Sequence, residues 1–393
     1  NACFEWDSSL SNATTTRATI ISGAPTASRH MVVSTPDRHL VFYGTETTIG
    51  DADTQDDMFI RFSDQEDINT YTPTATNTAG TQRLADGSQI RGAIRGRDAI
   101  YVWTDTALFT QRFVGQPFTF AFAQVGTNCG LVGQNACVEV DGAAYWMSEN
   151  GFFRFTGKLE SMDCLVEDYV YDQADTTKGQ QIYAGINNLF TEVVWYYPST
   201  SSDYNDQYVV LNYGEKVEGG VWYIGTEART SWIDASVYPK PSATKFNDSA
   251  TGTFPVIVGE DGLGQTTLFE HEIGTDQVNP DGSTTTVTSF VKSYDFDLQS
   301  QGTSGDVFLS MRRFVPDFKD LQGNAKVTLA VKRYPQQSDT TTSLSPFTIN
   351  ANTDKKDTRA RGRFVNIKIE NTDVSESWRF GTLKIDIQPD GRR

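Results

Sequence analysis

The chain has 393 residues and a formal net charge of −17, and 12% of it is aromatic, with 24 Phe, 16 Tyr and 7 Trp. That length buries one large core or two or three modest ones, and its rings and abundant Thr suit pleated sheet better than helix. No run of about 18 apolar residues is present, which excludes a helical membrane span, and so acidic a surface repels nucleic acid unless its charge is segregated.

The charge is in fact segregated. Residues 305–393 hold 16 Lys/Arg and 11 Asp/Glu, a net of +5, whereas residues 1–304 hold 17 and 39, a net of −22. This disfavours recognition of DNA bases but is compatible with DNA sliding through a channel. The basic end suits an acidic neighbour, including an acidic part of another copy.

The chain begins without Met or a signal peptide and reads as a processed product or part of a longer chain. Residues 1–28, rich in Thr, Ser and Ala, read as an N-terminal extension or the continuation of a missing region. A strand-turn-strand follows, His30–Ser34 and His39–Tyr43 about Pro36-Asp37, where a fixed φ and a backbone-bonding side chain make the turn. An acidic loop at residues 51–57 leads into Met58–Phe62. Gln89–Arg95, Ala99–Trp103 and Ala107–Phe113 form the next group. Ala136–Val140, the turn Asp141-Gly142, Ala143–Met147, the turn ending Asn150-Gly151, and Phe152–Phe155 repeat the pattern. Asp-Gly and Asn-Gly between alternating strands are strong hairpin signals.

A fourth group comprises Gln181–Ile186, Phe190–Tyr197, Gln207–Tyr213 and Gly220–Ile224, and a fifth comprises Phe254–Val258 and Thr267–His271. Meanders of three or four strands thus recur every 45–60 residues or so. That spacing predicts an all-β chain with a β-propeller of four-stranded blades over residues 29–304. Residues 305–393 read as an additional basic β region or a closing blade. Strands are predicted at 287–298, 307–314, 326–334, 363–370 and 378–387, with loops near Thr340 and over Asn352–Arg361. Only Leu159–Asp172 has any helical character.

Few residues point to chemistry. No Walker A, HExxH or GxSxG pattern is present, and no cofactor or metal is expected. Asp51, Asp53, Asp56 and Asp57 resemble the start of a calcium loop, but the sixth position is Asp56 rather than Gly and the twelfth is Phe62 rather than Glu. His30 and His39 flank a turn and are candidates to face each other across the hairpin. Cys3, Cys129, Cys137 and Cys164 read as buried thiols, with a Cys129–Cys137 disulfide as the other reading. Asp105, Glu149 and Glu192 are the kind of carboxylate a glycosidase uses, although nothing in the sequence pairs them. Trp103, Trp146 and Trp195 read as core rather than as sugar-stacking rings. Gly126–Gly133 has the glycine content of a bent crossing between blades, or of a loop at the axis.

The stretch from Gly87 to Gly157 resembles the tail nozzle, or tail tubular, proteins of short-tailed phages and the related packaged-DNA stabilisation proteins. The residues that carry the resemblance are Gly87–Ile90, Ile100–Thr106, Phe113–Gly115, Val125–Gly133, Tyr145–Met147 and Gly151–Gly157. The closing segment Trp378–Arg393 is similar as well. The resemblance implies a non-catalytic propeller subunit of a ring, commonly a hexamer, at the distal end of the virion tail. Such a ring sits below the adaptor, touches other tail proteins, and encloses the channel through which double-stranded DNA leaves. Asp51, Asp53, Asp56 and Asp57, with Thr127, Asn128 and Leu131, are then candidates to line or gate that channel. Arg359, Arg361, Arg363, Arg392 and Arg393 are candidates for contacts with a neighbouring subunit. Two other readings remain open. One is a carbohydrate-binding or glycoside-hydrolysing propeller, which for hydrolysis needs two carboxylates about 5–9 Å apart. The other is an interaction scaffold in a cell.

Overall fold

The protein was analysed as a computed structural model that describes residues 3–7, 9, 16–214, 220–227, 231–234, 256–260, 266–271, 273–279, 282–298, 307–334 and 342–391. Two compact units emerge, Asn1–His271 and Glu272–Arg393. The division therefore falls earlier than residue 304. Phe290–Lys292 explains why, because it pairs with Phe364–Glu370 inside the second unit. The first unit carries 16 Lys/Arg and 34 Asp/Glu, a net of −18, and the second 17 and 16, a net of +1.

The first unit opens with a short pair, β1 (Phe4–Glu5) and β2 (Thr19–Ile20). Residues 16–28 are not simply an extension, since Ile21 and Ala24 pack with Leu40, Phe42 and Tyr71. Four antiparallel four-stranded meanders follow in chain order. Blade 1 is β3 (His30–Ser34), β4 (His39–Tyr43), β5 (Phe59–Phe62) and β6 (Gly80–Arg83). Blade 2 is β7 (Ile90–Arg95), β8 (Ile100–Thr104), β9 (Ala107–Gly115) and β10 (Thr119–Thr127). Blade 3 is β11 (Cys137–Val140), β12 (Ala143–Ser148), β13 (Gly151–Phe155) and β14 (Leu159–Met162). The α-helix α1 (Glu167–Gln173) then leads to blade 4, β15 (Tyr183–Asn187), β16 (Glu192–Pro198), β17 (Asn205–Asn212) and β18 (Val221–Thr226). A fifth sheet has three strands among the described residues, β19 (Ser231–Ile233), β20 (Val256–Glu260) and β21 (Thr266–Glu270). The expected start of that sheet at Phe254 lies outside the described residues.

First strands of successive blades lie side by side, β3 by β7, β7 by β11 and β11 by β15. This is the arrangement of a β-propeller, with first strands round the axis and fourth strands at the rim. The buried residues form cores between blades rather than within them. One joins Val41, Ile60 and Phe62 of blade 1 to Val102 and Phe109 of blade 2. Another joins Trp103 of blade 2, Trp146 and Phe152 of blade 3, and Trp195 and Val209 of blade 4. The fourth residue of each second strand is a buried ring: Phe42, Trp103, Trp146 and Trp195.

The predicted Asp141-Gly142 turn is present with φ of 53° and 83°, as a two-residue hairpin connection of matching twist requires. The β3–β4 register places His30 opposite Tyr43 and His39 opposite Ser34. The two histidines therefore stand at opposite ends of the hairpin and do not meet. His39 is buried between Asp37 (3.2 Å) and Thr78 (3.0 Å), with Phe62, Phe113 and Phe120 around its ring.

The second unit contains β22 (Asp276–Val278) paired with β23 (Thr284–Thr286), then β24 (Phe290–Lys292), β25 (Leu309–Val315), β26 (Phe318–Gln322) and β27 (Asn324–Lys332). It continues with β28 (Thr342–Ser343), β29 (Phe347–Asn350), β30 (Lys356–Gly362), β31 (Phe364–Glu370), β32 (Ser377–Phe380) and β33 (Lys384–Pro389). A five-stranded sheet built on β24, β31 and β27 and a three-stranded sheet β30-β25-β33 enclose one core of Leu309, Met311, Val327, Leu329, Ile367 and Ile369. This is a small sandwich rather than a further blade. The predicted loop over Asn352–Arg361 is mostly the strand β30. Its pattern was hidden because only Ala360 and Gly362 of that strand are buried.

Candidate functional site

The first strands of the propeller surround an axial cavity of about 700 Å³. β3 contributes His30 and Met31, β7 contributes Ala93 and Ile94, and the approach to β11 contributes Gln134, Asn135 and Cys137. Gln180 and Gln181 precede β15, which contributes Tyr183 and Ala184, Asp203 and Tyr204 precede β17, which contributes Asn205, and Trp232 comes from β19. The lining thus carries five side-chain amides, three aromatic rings and Asp203, whose own side chain is fully exposed.

Several of these residues are held by a neighbour. The Ala184 amide donates to the Asn135 carbonyl at 2.6 Å, tying the first strands of blades 3 and 4 together. Asn205 Nδ2 donates to the Gln181 carbonyl at 2.9 Å, while its Oδ1 accepts nothing among the described residues although Asn205 is only 3% exposed. Trp232 packs over Gly185, where a Cβ would sit 1.6 Å from the indole, and its ring lies 5.5 Å from that of Tyr196. Asp203 is engaged by Lys178 Nζ at 3.3 Å.

His30 is the titratable base of the cavity. Burial, and then the charge of Arg29, hold its imidazole down at about 4, against a hydrogen bond with the Arg91 backbone that raises it. It is therefore neutral at pH 7. Between pH 6.5 and about 4 the unfolded chain binds a proton that the folded chain refuses, so stability falls on acidification through that window. Replacing His30 by Gln is expected to reduce that acid loss by roughly 1–2 kcal/mol, read from urea midpoints at pH 7 and pH 4.5.

Two carboxylates flanking a scissile bond are the minimum for acid/base glycoside hydrolysis, and among the described residues the cavity lining includes one, Asp203. Asp105, Glu149 and Glu192 do not line it. Asp105 instead organises the loop before β7, taking the Ser88 amide at 2.8 Å and the Ser88 hydroxyl at 2.5 Å. Burial raises its pKa, but these bonds outweigh burial and lower it. Glu149 is exposed in the β12–β13 turn and Glu192 is buried at the start of β16. Trp103, Trp146 and Trp195 are fully buried and unavailable to sugar.

The expected gate residues are held elsewhere than in the cavity lining. Asp57 forms a two-pronged pair with Arg29 (2.7 Å for both contacts), and Asp56 pairs with Arg83 at 2.7 Å. Asp51 accepts the Asp53 amide at 3.2 Å to cap a single helical turn. The base of this loop is fixed by buried Arg61, which donates to the Thr47 carbonyl at 2.6 Å, and by buried Glu46, which accepts from the Gly50 amide at 2.5 Å. Gly126–Gly133 is the crossing from blade 2 to blade 3. Leu131 is buried against Gly92 of β7, whereas Thr127 and Asn128 are exposed where β10 ends.

Trp146 Nε1 donates to the Cys129 carbonyl at 2.8 Å, and Trp195 Nε1 to the Ala136 carbonyl at 3.1 Å. Indoles from two blades therefore pin one crossing and make it a brace within the propeller. Cys129 and Cys137 are both free and buried, one at each end of this crossing rather than across a hairpin, so the disulfide reading is corrected. Burial pushes the Cys137 thiol up to about 12.

The expected contact arginines also divide. Arg361 pairs with Asp390 at 2.7 Å and lies 4.4 Å over the Phe308 ring. Arg363 is stacked at 5.2 Å over both Phe308 and Tyr334. Both are thus used within the second unit. Arg359 is exposed on β30, and Arg392 and Arg393 lie outside the described residues.

The amide and aromatic side chains at the axis are what sequence reading missed. They stand at loop ends, without spacing that separates them from ordinary polar residues. Among the described residues no three His, Cys, Asp or Glu side chains gather as a metal site, and no helix is long and apolar enough to cross a membrane.

No protein-family profile matches the chain, and no curated protein matches it. Solved structures with some likeness include the exo-β-1,3-galactanase of Phanerochaete chrysosporium. Its galactose complex aligns at 10% identity and a TM-score of 0.24, over 91% of this chain and 79% of that one. A substituted form with β-1,3-galactotriose aligns at 11% identity and a TM-score of 0.24, over 91% and 80%. A likeness at that level shows neither activity nor ligand.

Proposed function

We propose that this chain is a structural virion protein, one subunit of a closed ring at the end of a short phage tail that encloses and gates the DNA channel and retains packaged DNA. Its partners are further copies, in a hexamer, with the tail adaptor and other tail proteins, and double-stranded DNA passes without sequence recognition. The observation that carries the reading is the β9–β10 hairpin. It belongs to the segment that resembles the tail nozzle proteins, and its strands, at nine residues each, are the longest among the described residues of the propeller. Its tip leaves Phe113, Val114 and Phe118 exposed, Phe118 by 77%. An apolar tip of this size needs a cover, and a head-to-tail contact between identical subunits closes a ring. The imbalance between a unit of −18 and one of +1 supplies unlike surfaces for such contacts.

Native mass spectrometry and single-particle imaging of the isolated protein test the reading. A ring with a central hole is expected, and Val114→Ser with Phe118→Ser should return it to monomers of unchanged thermal stability. A wild-type chain that stays monomeric at high concentration refutes it.

The amide and aromatic lining of the axial cavity favours a second reading, a propeller that binds a neutral saccharide there. Amides bond hydroxyl groups, and rings pack on the apolar faces of sugars. Among the described residues the lining includes one carboxylate, Asp203, and glycoside hydrolysis would need a second. A saturable rise in melting temperature with a neutral oligosaccharide, lost in Tyr204→Ala, is the expected result. No shift across a panel of such sugars removes it.

A further inference from the structure

The five-stranded sheet of the second unit turns one face to the core and the other away from it. Along β27 and β31, odd-numbered Val327, Leu329, Ile367 and Ile369 enter the core. Even-numbered residues therefore point away from it. The register sets Lys292 of β24 directly opposite Lys368 of β31, with Thr328 of β27 opposite Lys368 on its other side. Like charges placed opposite each other across a sheet are unfavourable.

Two further lysines share that face, Lys326 and Lys332. Lys332 is matched by Asp295 at 2.6 Å, and Glu370 serves both Lys326 and Lys368. Four lysines thus meet two carboxylates. Lys292 is the excess, exposed and without an ion pair among the described residues.

This face is concave. A groove of about 510 Å³ is lined by Lys292, Lys332 and Lys368 together with Ser293, Ser343, Thr328, Asn366 and Ala330, and by one carboxylate, Asp295, which Lys332 already holds. Tyr294 lies in the same lining and is 79% exposed. Ammonium and hydroxyl donors in a groove suit phosphate oxygens, and an exposed ring beside them suits an unstacked base. We propose that this groove binds a single phosphodiester strand, with Lys292 and Lys368 on successive phosphates and Tyr294 stacked on a base. An acidic polypeptide would satisfy the lysines and leave Tyr294 unused. The proposal rests on the second unit alone and is independent of the ring.

The test is fluorescence anisotropy of a labelled single-stranded oligonucleotide with the full chain at low ionic strength. Saturable binding is expected, weakening with salt by about 0.7 in log–log slope for each phosphate held. Lys292→Gln should weaken binding several-fold and lower that slope by nearly one contact. Tyr294→Ala should weaken it about tenfold with the slope unchanged. Lys158→Gln, an exposed lysine of the propeller, should change nothing. Both test residues are exposed, so circular dichroism is expected to match wild type. Absence of binding at low salt overturns the proposal, as do variants that bind like wild type. Tighter binding of poly-glutamate than of the oligonucleotide overturns it in favour of an acidic protein partner.

Discussion

Trp146→Ala is expected to destabilise the propeller by about 3–5 kcal/mol, among the largest effects of any single truncation. The indole is fully buried, 5.3 Å from the ring of Trp103 in blade 2 and 5.7 Å from Phe153 on its own sheet. Removing it empties the core shared by blades 2, 3 and 4. It also leaves the Cys129 carbonyl without its 2.8 Å donor inside the protein. Trp146→Phe separates the two losses. It keeps most of the apolar contact and abandons the hydrogen bond, which costs roughly 1–3 kcal/mol when the acceptor stays buried. Denaturant titration of both variants, followed by far-ultraviolet circular dichroism, gives the two numbers. Equal stability of Trp146→Ala and wild type refutes the brace.

The second large effect is expected at Gly133. A Cβ there would stand 1.8 Å from the Gly179 carbonyl oxygen, and one on Gly179 would stand 2.2 Å from the Val132 carbonyl oxygen. Two backbones pass in contact, and neither can yield as a side chain does. Gly133→Ala is therefore expected to cost about 3 kcal/mol or more, or to prevent accumulation of folded protein. Gly157→Ala is the comparison. Its φ is 98° and nothing lies within 4 Å of its Cβ position, so only backbone strain of about 1 kcal/mol is expected. Similar melting temperatures for the two alanine variants count against the close approach.

Much of the propeller was legible in the sequence because the second strands are buried on both faces. His39–Tyr43, Ile100–Thr104, Ala143–Ser148 and Glu192–Pro198 read as near-continuous apolar runs because each is packed between two blades. The fourth strands of blades 1 to 3 were missed. Gly80–Arg83 and Leu159–Met162 contain no fully buried residue, and Thr119–Thr127 contains two. A rim strand is recruited by hydrogen bonds from its neighbour, so its sequence need not alternate.

The axial cavity was illegible for a related reason. Gln134, Gln181 and Asn205 are brought together by the circular arrangement of blades, and that closure leaves no local pattern. The glycine-rich stretch around Leu131 shows the converse. A glycine-rich stretch was legible as unusual, but the same glycines serve a mobile loop and a tight backbone crossing, and only the neighbours of Gly130 and Gly133 decide between them.

The placement of the cores between blades has a consequence for how such a chain can vary. No blade owns its apolar residues, so one lifted out would leave both its faces wet, and whole units can be gained or lost only together with the neighbours that cover them. Rim strands carry almost none of this shared burden. They are the places where substitution and insertion cost the fold least, and where new attachments can accumulate while the centre stays as it is.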